Sequence, residues 1–400
     1  MALIYDVVTS ANIKGFYDKQ QANVDLSLGE KAFPSKQQLG LKLSFIKGAA
    51  GKPVSIKAAA FDTKVPLRDR MSVDLLDEEM PYFKEGMFVK EADRQQLNVL
   101  AQTKNQELID TVLSTIFNDE TTLIAGAKAR LEAMRMEVLS SGKIHINSNG
   151  VMKDIDYGLA VTQTTKSSQE WSNKETANPL ADIEKAIETV TERGHVPEAI
   201  VLNSKTFGYI KNAKATVKVI KPLAPEGSIV TKAELKSYLS EELGLNILLK
   251  DGVFVNDAGE SKKYFPDGVV TLVPNGNLGY TVFGTTPEQS DLMGGQATDA
   301  QVSLVETGIA VTTTKTTDPV NVQTKVSMIA LPSFERLDEV QIVTSSEVDA
   351  QVSLVETGIA VTTTKTTDPV NVQTKVSMIA LPSFERLDEV QIVTSSEVSL

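Results

Sequence analysis

The chain has 400 residues, of which 41% are hydrophobic and 23% are charged, so it belongs to the ordinary globular class and can bury one large or two modest cores. The absence of cysteine excludes disulfides, thiolate zinc sites and cysteine nucleophiles, and a formal net charge of −12 gives no overall basic field for nucleic-acid binding. No run approaches the roughly 20 apolar residues of a membrane span, and no basic secretion signal begins the chain, so we expect a protein that remains in the cytoplasm where it is made.

The first eighty residues predict extensions more than a core. Residues 1–30 are mixed and polar, which predicts an extended arm, and alternation in 39–46 predicts the first strand. Residues 47–80 are polar and are interrupted by glycine and alanine. They predict a long protruding hairpin, and ordered loops of that length tend to be functional.

Helical periodicity dominates the next segment. Apolar residues recur three, four or eight apart over 91–117 and again over 119–140. Asn118 and Asp119 predict a break between two helices, because Asp is a favourable N-cap. The second helix should end at Gly142 and be followed by a strand at 144–146.

A second unit of helices and strands begins at Asn178 and Pro179, a cap followed by proline at the first helical position. Its first helix should run to Gly194. Thr231 and Glu234 form a predicted capping box for another helix, which should end at Gly244. Strands are predicted at 199–202, 247–249, 253–255, 263–265, 269–273 and 280–283. Together these elements predict an α+β protein with two sub-domains and two projecting extensions.

The strongest pattern is an exact repeat, since residues 299–348 recur without a substitution as 349–398. Each copy contains alternating stretches that predict strands, at 308–313 and 326–331 in the first copy. Solenoids need about three or more copies, so two do not predict one. We interpret the second copy as a recent duplication or an artefactual extension. Because loop closure costs more as the intervening chain lengthens, the first copy should take the native place and 349–400 should be dispensable.

Candidate catalytic and metal-binding residues are few. His145 and His195 are fifty residues apart and lack partners at ligand spacing, which favours ordinary strand and loop histidines over a metal site. The acidic clusters 77–79 and Asp182 with Glu184 fit surface acids or helix N-terminal charges as well as they fit acid–base catalysis. The sequence therefore predicts no catalytic, cofactor-binding or metal-binding residue.

Other motifs are similarly weak. Residues 48–52 have two residues between the glycines of a phosphate loop that needs four, and Pro53 replaces the magnesium-binding hydroxyl. Residues 276–279 precede a strand and so do not form a dinucleotide fingerprint. Trp171 is expected to be a packing anchor, and the basic run 211–221 a solvated face.

The order of several short stretches resembles the major capsid proteins of tailed phages, in particular the phage lambda coat protein family. The stretches are 170–172, 178–184, 262–267, 276–280, 324–332 and 338–340. The resemblance spans about residues 1–345. It implies the Hong Kong 97 type phage capsid fold, which is α+β.

The resemblance also implies a division of the chain. The expected parts are an N-terminal arm and first strand at 1–46, an extended loop at 47–80, a peripheral domain at 81–177 with a spine helix at 119–140, an axial domain at 178–290, strands returning to the peripheral domain at 291–348, and the duplicate at 349–400.

As function, the resemblance implies a structural protein without enzymatic activity or cofactor. Family members form hexamers and pentamers that tile an icosahedral head around double-stranded DNA. Expected partners are further copies of the chain, portal, scaffold and decoration proteins, and the packaged DNA without sequence-specific binding, but no membrane. The expected location is the virion, after assembly in the host cytoplasm. Some shells crosslink a loop lysine, and Lys47, Lys52, Lys57 and Lys64 lie in that region, yet we expect no crosslink.

Two alternatives remain open at this stage. An encapsulin-like cargo shell shares the fold but encloses an enzyme. A soluble α/β enzyme or ligand-binding protein is suggested by the alternation of helices and strands over 178–273, although it leaves the arm and hairpin unexplained.

Overall fold

The computed structural model describes residues 7–21, 26–47, 74–89, 91–103, 106–223, 225, 228–294, 300–317, 320–345, 353–355, 359–365 and 372–378. The chain divides into two compact units, Met1–Ser346 and Glu347–Leu400. The helices within the described residues are α1 Ser10–Gln21, α2 Leu28–Ala32, α3 Glu91–Thr103, α4 Gln106–Ser141, α5 Pro179–Glu192, α6 Ser204–Asn212, α7 Lys214–Ile220, α8 Lys232–Glu241 and α9 Pro287–Gly294.

The strands alternate with these helices, as an α+β protein requires. They are β1 Ser35–Gln37, β2 Lys42–Lys47, β3 Asp74–Glu79, β4 Tyr82–Phe88, β5 Lys143–Ser148, β6 Val151–Asp156, β7 Thr164–Lys166, β8 Ala199–Leu202, β9 Asn246–Leu249, β10 Val253–Val255, β11 Ser261–Lys263, β12 Val269–Val273, β13 Thr281–Phe283, β14 Ala300–Val305, β15 Ile309–Thr317, β16 Val320–Pro332, β17 Gln341–Thr344, β18 Ser353–Val355, β19 Ile359–Lys365 and β20 Val372–Met378.

The larger sheet of the first unit is built around β16. Its strand order is β1-β13-β16-β15-β14, and β4 also pairs with β16. The thirteen residues of β16 are long enough to pair with β15, β4 and β13 at once. Helix α4 packs against this strand and buries Leu131, Met134 and Val138 on its apolar side.

A second sheet carries the core that surrounds α5 to α8. Its order is β7-β17-β12-β8-β9. Every residue of β12 is buried, as expected for a strand with both faces covered. Ile183, Leu235 and Trp171 meet it in one apolar cluster. The strands predicted at 199–202 and 269–273 are confirmed, and so is the capping box between Thr231 and Glu234.

The prediction of a helix break at Asn118 and Asp119 is wrong, because α4 is continuous through both residues. The buried side chains Ile116 and Ile124 lie on either side of the predicted break and keep the helical period. A cap residue stabilises a helix start only where the backbone leaves the helix, and this burial outweighs that local preference. The end of the helix at Gly142 is confirmed, with φ +69°.

The extended arm predicted at 1–30 is also corrected in the part that is described. Residues 10–21 and 28–32 are the helices α1 and α2. Ile13 and Tyr17, four residues apart on one face of α1, are buried, and the ring of Phe16 stacks on Phe117 at 5.5 Å. This part of the arm therefore folds as the helix α1, because its apolar face packs against other elements of the fold.

Three two-stranded ladders complete the described part of the first unit. β2 pairs with β3 in an antiparallel register that joins the two sides of residues 48–73, which lie outside the described residues. β5 pairs with β6, and β10 pairs with β11. The last pairing uses 261–263 instead of the predicted 263–265, because Asn256 closes a tighter turn by accepting a hydrogen bond from the Glu260 backbone at 2.8 Å.

The second unit contains a three-stranded antiparallel sheet in the order β18-β19-β20. These strands come from the second copy of the repeat. The corresponding strands of the first copy, β14 to β16, lie in the larger sheet of the first unit.

Candidate functional site

A cavity of about 740 Å³ is a candidate site among the described residues. Five separate segments meet around it, namely α1, α2, α4, residues 250–264 and the turn after β14. Its charged lining residues are Glu30, Lys128, Glu132, Arg135, Lys250 and Glu306.

Glu132 on α4 lies at the centre of the first ionic group. It accepts hydrogen bonds from Ser27 Oγ at 2.7 Å and from the Gly29 backbone N–H at 3.2 Å, and it also pairs with Lys250. Arg135 lies 3.6 Å away and donates through Nε to Thr281 Oγ1 at 2.8 Å. Burial raises the pKa of Glu132, but the hydrogen bonds from Lys250 and Ser27 outweigh it and hold the pKa below its usual range.

A second ionic group holds α1. Lys128 Nζ lies 2.6 Å from Glu306, and the hydroxyl of Tyr17 donates to the same carboxylate at 3.3 Å. The ammonium of Lys128 also lies 5.5 Å from the centre of the Tyr17 ring. Burial lowers the pKa of Lys128, whereas hydrogen bonds to Glu306 and Tyr17 more than offset it and keep the amine protonated.

Together the two ionic groups form an ionic joint, a set of side chains that connects separate segments of the first unit. Each acid named above has a cationic or hydrogen-bonding partner within the cavity, so its charge stabilises contacts between segments of the fold. A catalytic acid or base instead needs a pKa near the working pH and access to a substrate proton. The sequence alone does not predict this joint, because its contacts connect segments about a hundred or more residues apart, as between Ser27 and Glu132 or Tyr17 and Glu306.

The two sequence-predicted histidines lie on different elements. His145 is on β5 and contacts Asp154 across the hairpin, with both side chains exposed. His195 lies in the loop after α5. Within the described ranges, no group of three or more potential metal ligands is close enough to hold an ion.

The acidic clusters are also separated. Asp77 on β3 accepts from Ser44 Oγ at 2.9 Å, and Glu78 lies 3.6 Å from Lys153 Nζ. Asp182 accepts from the indole N–H of Trp171 at 2.9 Å. Trp171 is fully buried, so the expectation of a packing anchor is confirmed.

The remaining motifs have structural explanations where they are described. The backbone carbonyls of Asn275 and Asn277 accept from the guanidinium of Arg336 at 2.7 and 3.1 Å, which fixes the turn at Gly276. In the basic run, Lys214 pairs with Glu175 and Lys221 with Glu234. Residues 48–52 and the lysines at 52, 57 and 64 lie outside the described residues, as does the side chain of Lys47.

Exposed apolar side chains mark the surface of the first unit. Leu223 is 98% exposed just after α7, close in sequence to the exposed Ile229. Val253 and Val255 lie two residues apart on β10, and Met152 is 70% exposed beside the turn between β5 and β6. Such exposed apolar side chains are available for contacts with other protein surfaces. No helix among the described residues is both long enough and apolar enough to cross a bilayer.

Comparison with known protein families indicates what kind of protein this chain is. Residues 18–345 match the model of the family described as phage major capsid protein E. The chain belongs to this phage major capsid protein family. The predicted function as a capsid protein and the absence of an enzymatic role in the family are thereby confirmed, as are self-assembly and a virion location. The predicted α+β class is confirmed as well.

Several solved structures are similar to this capsid protein. A protein ascribed to the capsid of an Escherichia coli CFT073 prophage is 16% identical, with 68% of this chain and 80% of that chain covered and a TM-score of 0.49. A phage-related protein of Bordetella bronchiseptica RB50 is 13% identical over 82% and 96% of the two chains, with a TM-score of 0.47. The capsid of Myoviridae phage XM1 is 13% identical over 80% and 92%, with a TM-score of 0.42. No curated protein sequence matches the chain.

Proposed function

We propose that this capsid protein forms hexameric and pentameric capsomers that tile an icosahedral head around double-stranded DNA. The observation that carries the proposal is the set of exposed apolar side chains on separate elements of a chain that belongs to a family of shell-forming proteins. An interface buries on the order of 800 Å² per partner, and such side chains supply its apolar centre.

The two sheets support a division of the subunit into a peripheral and an axial part. We assign the larger sheet with α4 to the peripheral part and the second sheet with α5 to α8 to the axial part, near the expected ranges 81–177 and 178–290. β7 and β17 pair within the second sheet, so this axial part also takes strands from outside 178–290. The loop at 47–80 would extend from the β2–β3 ladder over a neighbouring subunit.

The proposed partners follow from assembly and charge. Portal and scaffold proteins would direct assembly in the host cytoplasm, and a decoration protein would bind the finished shell. A net charge of −12 supports packaging of DNA without sequence-specific binding, because an acidic subunit does not hold the phosphate backbone. A strongly basic inner face on the assembled shell would contradict this last proposal.

The direct test is to express the chain alone and to image the soluble fraction by negative-stain electron microscopy. Closed shells, tubes or capsomer rings are expected. Discrete small particles, both alone and with a coexpressed scaffold, would contradict the proposal. Shells filled with a protein cargo instead of DNA would favour the encapsulin-like alternative.

A surface variant links the test to the exposed side chains. Leu223→Asp should lower the yield of shells several-fold, because it places a charge in the proposed capsomer contact. The thermal unfolding of the subunit should be unchanged, since Leu223 is 98% exposed. Unchanged shell yield would remove the segment after α7 from the proposed contact.

A further inference from the structure

The two copies of the repeat form the same strand pairings in the two units. In the first copy, Leu304 lies opposite Ala310 and Thr313 opposite Thr324. In the second copy, Leu354 lies opposite Ala360 and Thr363 opposite Thr374, which are the same positions advanced by fifty. Both copies therefore specify one three-stranded arrangement, in one register.

The pairings differ at the edge of the third strand. β16 pairs with β15 and also with β4 and β13, and it buries Met328, Ile329 and Leu331. Its counterpart β20 pairs only with β19 among the described strands. The sequence that binds β4 in the first unit is thus present a second time, with a strand edge that has no described partner.

We infer that the second copy can take the place of the first in the larger sheet, against β4 and β13 of the same chain. The first copy then forms the separate three-stranded sheet. Because the two segments are identical in sequence, every strand pairing and buried contact is the same in both arrangements. Each contact that the exchange breaks is formed again by the identical residue of the other copy.

The arrangements differ in one connection. When the first copy is in place, 5 residues (295–299) join α9 to β14, and when the second copy is in place 55 residues (295–349) span the same gap. Because the probability of closing a loop falls with the three-halves power of its length, the shorter connection favours the first copy by roughly 40-fold. The exchanged arrangement is therefore a minor population of a few per cent, and a defect confined to the first copy makes it the major one.

Cysteine pairs distinguish the arrangements, since the chain has no cysteine of its own. Lys84 on β4 lies directly opposite Ser327 on β16, at a spacing that a disulfide can bridge. Lys84→Cys with Ser327→Cys reports the first copy, and Lys84→Cys with Ser377→Cys reports the second. Lys84→Cys with Thr374→Cys is the off-register control, because Thr374 corresponds to Thr324, which lies opposite Met87.

Under mild oxidation the 84–327 pair should link in most chains, and the 84–377 pair should link in a small fraction that grows with time. Adding Met328→Asp, a charge at a buried position of the first copy, should make the 84–377 link the major product. Adding Met378→Asp instead should abolish it. Peptide mapping and non-reducing gels measure each link.

Two results would overturn the inference. One is an 84–377 yield no higher than the off-register control, both in the unmodified background and with Met328→Asp. The other is an 84–377 link found only between two chains, as a dimer on the gel. The unmodified background keeps the test valid even where Met328→Asp prevents folding.

Discussion

Glu120 is a buried acid for which the fold provides little compensation. It is 1% exposed on α4, and its Oε2 atom has no hydrogen-bond partner among the described residues. Burial raises the pKa of Glu120 to about 7, Thr324 lowers it in part, and the charge of Asp119 raises it further. The hydroxyl of Thr312 is likewise buried without a described partner. The contact between α4 and the larger sheet therefore holds a carboxyl group that is most stable when protonated.

Glu120 predicts that subunit stability decreases as the pH rises. Since the folded pKa is about 7 and the usual value is 4.5, the unfolded chain releases the proton first, and stability is lost between these two pH values. The full loss is up to about 3 kcal/mol above pH 7. Glu120→Gln should remove this dependence and raise the urea midpoint at pH 8 but not at pH 5. Glu184→Gln, an exposed acid on α5, is the control. Equal pH profiles for wild type and Glu120→Gln would contradict the prediction.

Glu288 at the start of α9 predicts the opposite dependence. Burial raises its pKa, but hydrogen bonds, first from Lys325, outweigh burial and lower the pKa to about 2. Tyr82 and Ser327 each donate to the same carboxylate at 3.1 Å. The stabilisation is present above the usual 4.5 and is lost as the pH falls towards 2. Glu288→Gln should therefore cost about 2 kcal/mol at pH 7 and much less at pH 2, by urea unfolding. A constant cost at both pH values would show that packing, and not charge, is responsible.

Elements that depend on local periodicity were predictable from the sequence, and elements that depend on distant partners were not. The capping box of α8 and the buried strand β12 follow from neighbouring residues. The continuity of α4 and the helicity of α1 depend instead on surfaces supplied by β16, β14 and each other. Intrinsic helix propensity is a weak preference, and burial of this kind overrides it.

The ionic joint at the cavity could not be predicted for the same reason. Ser27, Glu132 and Lys250 come from three segments with no shared motif. The local motifs that contain Trp171 and Gly276 stabilise the core and a turn instead. Short capsid-like stretches identified the family because their order along the chain, and not any site, carried the information.

Gly29 tests how α2 docks on α4. A Cβ built at Gly29 would overlap Glu132 Oε2 and lie 2.8 Å from Arg135 Cδ, whereas a Cβ at Gly15 on α1 meets nothing within 4 Å. Gly29→Ala should destabilise the subunit by about 1–3 kcal/mol through overpacking. Gly15→Ala, the matched control, should stabilise it by about 0.5–1 kcal/mol. Urea unfolding of both variants is the measurement, and equal shifts in midpoint would contradict direct docking of α2 on Glu132.

The whole chain combines a subunit with one complete set of strands and a second copy of part of that set. β14 to β17 are the described strands that the first copy contributes to the two sheets of the first unit. The second unit begins at Glu347. Deleting 349–400 therefore removes all of the second unit except its first two residues and leaves the first unit intact. The identity of the copies adds a further consequence, because deleting 299–348 instead gives the same chain except for the final Ser399 and Leu400.

Both deletions should therefore fold and assemble alike, with shells of the same size as the full chain. Electron microscopy of the shells and urea unfolding of the subunits measure this, and the unfolding midpoints of the two single-copy chains should coincide. Adding Met328→Asp to the chain that lacks 349–400 should abolish shells, because no second segment remains to replace β16. The same substitution in the full chain should reduce shells less. A single-copy chain that fails to fold would show that the second copy stabilises the native subunit, and would remove the basis for treating it as a spare set of strands.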